Sequence, residues 1–269
     1  MSDAWRLIDT GSCSAAYNMA LDEAIAIAVR QDLSPPTLRI YGWDQRSVSI
    51  GYFQRSGDID IGYCRENDIL IVRRPTGGRA VLHNDEITYS FSVKTRTGLF
   101  SKGLLDSYKK LSTALALALS KVGLSPRSKI HKPNPKSKIQ NSNPHNPLCF
   151  QSISYGEVSI NNTKVIGSAQ KRWADGLLQQ GSIPLTTDEN EILKLFQRNI
   201  VHVRKEPLIG LKQIVPGLSH DELKNAIRIS FEETFQVTLI RSSPSQKEIS
   251  LARELEAQKY LADAWTFRR

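Results

Sequence analysis

Residues 73–91 read RRPTGGRAVLHNDEITYSF: two arginines, a glycine pair, a third arginine and a histidine stand between two apolar runs. ILIVRR at 69–74 leads into the loop as a strand. ITYSFSV at 87–93 alternates and is expected to be the next strand, paired with the first through the loop. Adjacent glycines let a ligand come close to the backbone. Their amides can then hold an oxygen, either phosphate or carbonyl. Arg73, Arg74 and Arg79 supply positive charge, and His83 is a candidate base. The spacing is neither the GxxxxGK[ST] of a P-loop nor the GxGxxG of a dinucleotide site. A tight turn with solvated arginines is the other reading of the same residues.

Upstream, SAAYNMALDEAIAIAVR at 14–30 favours helix, with Met19, Ala20, Ala24, Ile27 and Val29 on a broad apolar face, and Ser-Pro-Pro at 34–36 ends it. TLRIYGW and SVSIGYF read as two short strands joined by a turn at 44–46. Downstream, 104–122 returns to helix. Ser219 and Glu222 form a capping box for a helix reaching Phe235, QVTLIRS is a strand, and 245–261 reads as helical. Strands dominate the centre, with helices before, between and after. The pattern predicts an α+β fold with a mixed sheet carrying helices on one side. Residues 1–204 are expected to form the main domain and 205–269 a small C-terminal extension packed on it.

A chain of 269 residues is long enough to bury a sizeable core. No apolar run is long enough to span a bilayer. The first residues lack the basic head and apolar centre of a signal peptide, so the cytoplasm is the expected location. Three widely separated cysteines, Cys13, Cys64 and Cys149, show no CxxC spacing, which argues against a disulfide framework or a zinc site. A net charge of +9 favours an acidic partner. The positive residues are scattered without a basic helix or aromatic-rich motif, which sets nucleic acid behind an acidic protein.

The stretch 126–147, PRSKIHKPNPKSKIQNSNPHNP, is rich in Pro, Asn, Ser and Lys and cannot bury enough apolar surface to order itself. It is a domain linker or, as we favour, a mobile substrate loop, since it ends against Cys149. A cysteine nucleophile needs a thiolate, which a nearby cation favours. Lys164 lies on the hairpin that follows: VSI and TKV flank Asn161-Asn162, residues that tolerate the left-handed turn. Taken singly, a lone cysteine is an inert buried thiol, Lys164 a solvated strand lysine, and His83 or His145 structural. GSAQ at 167–170 (Gly167, Ser168, Ala169) again brings a glycine and small polar groups to the end of an apolar strand. The alternative there is a bulge or a helix start. LLQQGSIPL at 177–185 reads as another strand.

RRPTGGRAVLHNDEITYSF, NNTKVIGSAQKR and LLQQGSIPL, with NMALDEA in the first helix, together resemble the lipoate–protein ligase, octanoyltransferase and biotin ligase superfamily over about residues 3–260. The resemblance implies the mixed-sheet fold shared with class II aminoacyl-tRNA synthetases. It also implies an acyl chain bound between the glycine loop and the lysine strand, bordered by Arg73, Arg74, Gly77, Gly78, Arg79, His83, Gly167, Ser168 and Ala169. The cysteine decides the branch. LipM-type octanoyltransferases carry it just before the lysine hairpin, where Cys149 stands. LipB-type enzymes carry it after the lysine, in the region that here reads LLQQGSIPL and has none.

The resemblance therefore implies an acyltransferase of lipoate biosynthesis. Octanoyl leaves the thiol of acyl carrier protein, rests on Cys149 as a thioester while Lys164 lowers the thiol pKa, and passes to a lysine of an acidic lipoyl domain such as glycine cleavage H protein. No cofactor, nucleic acid or membrane is expected, and a monomer is. The alternatives are an ATP- and magnesium-using lipoate–protein ligase in which Cys149 is incidental, and an octanoyl amidotransferase between lipoyl domains. The insert at 126–147 is longer in Lys, Asn and Pro than in such relatives.

Overall fold

The computed structural model describes residues 3–128, 158–196 and 209–269. The main sheet has eight strands: β1 (Ala4–Cys13), β2 (Thr37–Trp43), β6 (Glu86–Lys94), β7 (Arg127–Ser128), β8 (Val158–Ile160), β9 (Thr163–Arg172), β10 (Gly176–Pro184) and β11 (Thr238–Arg241). Their spatial order is β11-β1-β2-β6-β10-β9-β8-β7. The pairs β11–β1 and β1–β2 are parallel and the rest antiparallel, so the sheet is mixed. A second, three-stranded sheet has the order β4-β3-β5, with β3 (Ser47–Ile50), β4 (Leu70–Arg73) and β5 (Val81–His83).

Both faces of the main sheet are covered, where the sequence predicted helices on one. Helix α3 (Leu104–Lys121) and α5 (His220–Phe235) pack together through Leu111, Leu115, Leu223 and Phe231 over Trp5, Leu38 and Phe91. Helix α1 (Ala15–Arg30) and α6 (Gln246–Leu255) cover the other face over Ile8 and Tyr41. The reason is visible in β6, where every residue from Glu86 to Val93 is buried, so the alternation in ITYSFSV did not mark a wet face. The short helices α2 (Ile61–Glu66) and α4 (Glu189–Phe196) close the small sheet around Val48, Cys64 and Phe196.

The turn at 44–46 joins β2 and β3 as expected and carries the chain from one sheet to the other. One pairing differs from the sequence reading. The strands either side of the glycine loop, β4 and β6, do not pair. β4 lies parallel to β3, and β6 is held between β2 and β10, so both its edges are taken. β5, three residues long, turns back on β3 instead. β1 was not foreseen, because Arg6 breaks its apolar pattern; that guanidinium is buried against Glu248 of α6.

Elsewhere local chemistry predicted the form. Asn161 (φ 49°) and Asn162 (φ 65°) both take the left-handed conformation that closes the β8–β9 hairpin. Ser219 and Glu222 cap α5 reciprocally. Ser245 and Glu248 cap α6, which runs into a π-helical turn at Glu256–Tyr260. The segment after residue 205 contributes α5 to one face, α6 to the other and β11 to the sheet edge.

Candidate active site

The glycine loop is held from beneath. A Cβ on Gly51 would lie 1.9 Å from the carbonyl oxygen of Gly78, a distance no side chain allows. Tyr52 donates its backbone N–H to the Thr76 carbonyl at 2.9 Å. Gly78 has φ +85°, a left-handed conformation that other residues adopt at a cost. A Cβ placed on it would meet Ala169 Cβ at 3.5 Å, so the glycine loop faces the GSA motif of β9 with a gap about one methyl group wide.

Arg73 and Arg74 are turned into the protein and are not solvated. Arg74 is 5 % exposed. It donates from Nη2 to the carbonyls of Gly77 (2.7 Å) and Arg79 (2.7 Å), and from Nη1 to the carbonyl and hydroxyl of Ser49. Arg73, fully buried, donates to the carbonyls of Gly51, Gln54 and Thr266, while Trp265 Nε1 donates back to the Arg73 carbonyl. Burial, then the neighbouring Arg268, Arg269 and Arg74, pull the Arg73 pKa down to about 10. The two side chains replace missing backbone partners in a loop with no ladder of its own.

A buried polar relay ties the loop to α1. Thr76 Oγ1 donates to Gln180 Oε1 (2.8 Å), and Gln180 Nε2 donates to Asp22 Oδ2 (2.7 Å). Asp22 also accepts from Arg39, Ser90 and Tyr41, and the Arg39–Asp22 pair is fully buried. Asp22 is the first of the two adjacent acids of NMALDEA. Sequence reasoning took that helix for its apolar face and missed the carboxylate, although an acid inside an otherwise apolar helix face was the available signal.

Between the loop and β9 opens a narrow groove of about 30 Å³, partly open to solvent. Met19, Tyr41, Trp43, Val81 and Ala169 give it apolar walls, and Arg74, His83, Gly167 and Ser168 also line it. Gln179 Nε2 donates to the Tyr89 hydroxyl (2.8 Å), which also shares a hydrogen bond with Ser168 Oγ (2.9 Å). Burial pushes Tyr89 up to about 12, against the bonds to Ser168 and Gln179, so it stays neutral. His83 is stacked on Trp43 at 3.9 Å. Its Nδ1 is hydrogen-bonded to Glu86 (2.9 Å) and its Nε2 to Ser49 Oγ (2.7 Å), whose oxygen also receives Arg74. With both nitrogens occupied, His83 forms a wall of the groove.

Lys164 is buried, 2 % exposed, and faces a second cavity lined also by Asp85, Glu86, Asp188 and Glu191. A bulge puts it there: Lys164 pairs with Ser159 and Ile166 with Val158, which leaves Val165 as an extra residue that re-aims its neighbours. Val81 lines both this cavity and the groove, so a single side chain stands between the lysine's space and the glycine loop's. Cys149 and His145 lie outside the described residues, as does 126–147 beyond Ser128. Of the residues singled out in the sequence, the structure thus gathers Arg74, His83, Gly167, Ser168 and Ala169 around one groove, with Gly78 facing Ala169 across it. Lys164 sits behind it, Arg73 beneath it, and Arg79 on the loop itself. Among the described residues no group of His, Cys, Asp and Glu is arranged to hold a metal ion, and no helix is long and apolar enough to cross a membrane.

The site is thus a groove between a glycine loop and a small-residue strand of a mixed sheet. Residues 14–232 match the lipoyl protein ligase A/B catalytic domain, and the chain belongs to that family. It is 36 % identical to an octanoyltransferase LipM of Kyrpidia tusciae, over 98 % of this chain and 99 % of the relative. It is 33 % identical to the octanoyltransferase LipM of Bacillus subtilis, over 99 % of each chain. Among solved structures it resembles a lipoate-protein ligase A bound with ATP, with a TM-score of 0.81 and 25 % identity over 99 % of each chain. It also resembles the bipartite lipoate protein ligase of Thermoplasma acidophilum, described with its E2 lipoyl domain, at a TM-score of 0.79 and 26 % identity over 98 % of this chain and 96 % of that one.

Proposed function

We propose that the protein is an octanoyltransferase of lipoate biosynthesis that works through an acyl-thioester on Cys149. The observation that carries the reading is the close approach of the glycine loop at Gly78 to Ala169 beside a groove with apolar walls, in a chain that matches octanoyltransferases over 98 % of its length. The donor is octanoyl on the phosphopantetheine thiol of acyl carrier protein, and the acceptor is a lysine of a lipoyl domain. Exchange of one thioester for another is nearly balanced, so no ATP is consumed. The Cys149 thiolate attacks the donor carbonyl, and the carrier thiol leaves with the electron pair. The acceptor amine then attacks the acyl-cysteine, loses a proton and takes the chain as an amide, in ping-pong order.

Each described residue has a place in this scheme. The Gly77, Gly78 and Ser168 groups face the carbonyl, where one well-aimed donor is worth about 3 kcal/mol. Arg73 and Arg74 position the loop without touching the chain. Met19, Tyr41 and Trp43 pack the hydrocarbon. Lys164 favours the thiolate across Val81. Residues 205–269 act as an extension that completes the sheet and braces the loop.

The test is transfer from octanoyl carrier protein to an apo lipoyl domain without ATP, with mass spectrometry of the enzyme after donor alone. An octanoyl mass on Cys149, abolished with turnover in Cys149→Ser, is expected. Full transfer by Cys149→Ser overturns the covalent route. The likeness to an ATP-bound lipoate-protein ligase A favours a second reading, acyl-adenylate formation. Pyrophosphate released on adding ATP and lipoate would establish it in place of the first.

A further inference from the structure

The β9 strand continues past the groove. Ala169 faces the glycine loop at Gly78, and Lys171, two residues on and therefore on the same face, sets its ammonium 5.3 Å from the Tyr52 ring. Tyr52 is bonded to Thr76 of the loop, so this contact stands at the rim. Around it the fold assembles a face that no local stretch of sequence contains. Arg268 lies 3.8 Å over Tyr52 and 4.2 Å over Trp265, Arg269 lies 5.6 Å over Phe53, and Phe53 itself is 68 % exposed.

Charge balance distinguishes this face from ordinary surface. Arg30 and Lys259, at its margins, are paired with Asp175 and Glu23. Among the described residues, Lys171, Arg268 and Arg269 have no carboxylate within ion-pair distance; their partners are aromatic rings and backbone carbonyls. Rings hold cations in place without neutralising them. Burial lowers the Lys171 pKa, with Glu23 opposing and Lys259 adding to it, so an incoming anion would be favoured there.

We propose that this cation–aromatic rim, Tyr52, Phe53, Lys171, Arg268 and Arg269, is the docking face for the acidic acyl carrier domain that delivers the chain. The inference rests on the transfer reading above. The donor fits better than the acceptor. Its pantetheine arm is rooted in a phosphodiester, an anion that the unpaired cations would receive while the thioester enters the groove. The acceptor presents a lysine ammonium, which the same cations repel.

The experiment measures binding and turnover separately, using the full chain with Arg269→Glu and, independently of charge, Phe53→Ala, both at exposed positions. Binding of a fluorescently labelled holo carrier protein is followed by anisotropy. Turnover is followed with octanoyl carrier protein and with octanoyl-pantetheine, which lacks both the carrier and the phosphate. Each variant is expected to weaken carrier binding about ten-fold, in a salt-dependent way for Arg269→Glu, with octanoyl-pantetheine turnover kept within about two-fold. Unchanged carrier affinity in both variants overturns the docking face. So does weakened binding of the apo lipoyl domain with carrier binding intact. If the unsubstituted protein binds carrier through this face yet transfers nothing, the docking face stands and the transfer reading falls.

Discussion

Gly51 lies directly under Gly78, so close that a methyl group on the first would fall 1.9 Å from the carbonyl oxygen of the second. The strand end at residue 51 is therefore a platform on which the glycine loop rests, and the loop's height above the groove is set by the absence of one carbon atom.

Gly51→Ala is accordingly expected to lift the loop off β9. Overpacking of this kind costs about 1–3 kcal/mol, which urea denaturation would register. Octanoyl transfer is expected to fall by more than stability explains, by about a hundred-fold, since small misplacements of positioning groups are costly. A folded Gly51→Ala protein with unaltered kcat/KM would show that the loop does not position the acyl carbonyl.

Thr76→Val keeps the shape of the side chain and deletes its donor, leaving Gln180 Oε1 buried without Thr76. The expected loss is about 1–3 kcal/mol in a denaturant titration. The companion Gln180→Leu should give no additional loss of transfer once Thr76 is Val, because both cut the same relay to Asp22. Additive losses of activity in the double variant would mean that the relay does not act as a unit.

Lys164→Ala tests the thiolate. If Lys164 acts on the thiol as proposed, the rate of iodoacetamide labelling at Cys149, plotted against pH, should shift its midpoint upward by about one unit or more in the variant. Lys164→Arg, which keeps the charge, should leave the midpoint nearer its original place. An unmoved profile in Lys164→Ala assigns the lysine to packing of the second cavity alone.

Glu248 predicts a pH effect on stability. Burial by itself would raise its pKa, but the Arg6 guanidinium, the Ser245 N–H and the Ser34 hydroxyl outweigh burial and hold it below the usual carboxylate range. A depressed folded pKa means that the stabilisation is present above about pH 4.3, the ordinary glutamate value, and is lost as the pH falls through the folded pKa. Glu248→Gln should lower stability at pH 7 and flatten this part of the acid limb. Parallel limbs for the two proteins would contradict the assignment.

The sequence disclosed those features that short-range chemistry dictates. Asn161-Asn162 demanded a left-handed turn, Ser219 and Glu222 capped a helix, and the glycine and GSA motifs pointed to two halves of one site. It hid what depends on distant partners. Arg6 concealed a strand because Glu248, which neutralises it, is 242 positions away. The arginines before the glycine loop looked like ligand charges, yet their carbonyl partners at residues 49, 51, 54, 77, 79 and 266 became visible only in three dimensions. The rim around Tyr52 draws on three separate stretches, so no window of sequence shows an aromatic-rich basic motif.

Arg73 receives two of its carbonyl partners from Trp265 and Thr266, separated from it by 192 and 193 positions. An emerging chain therefore makes the anchor of its glycine loop early and its clasp very late. Until those residues leave the ribosome, the guanidinium beneath the loop lacks part of its cage, so the groove cannot take its final shape before synthesis has passed Thr266.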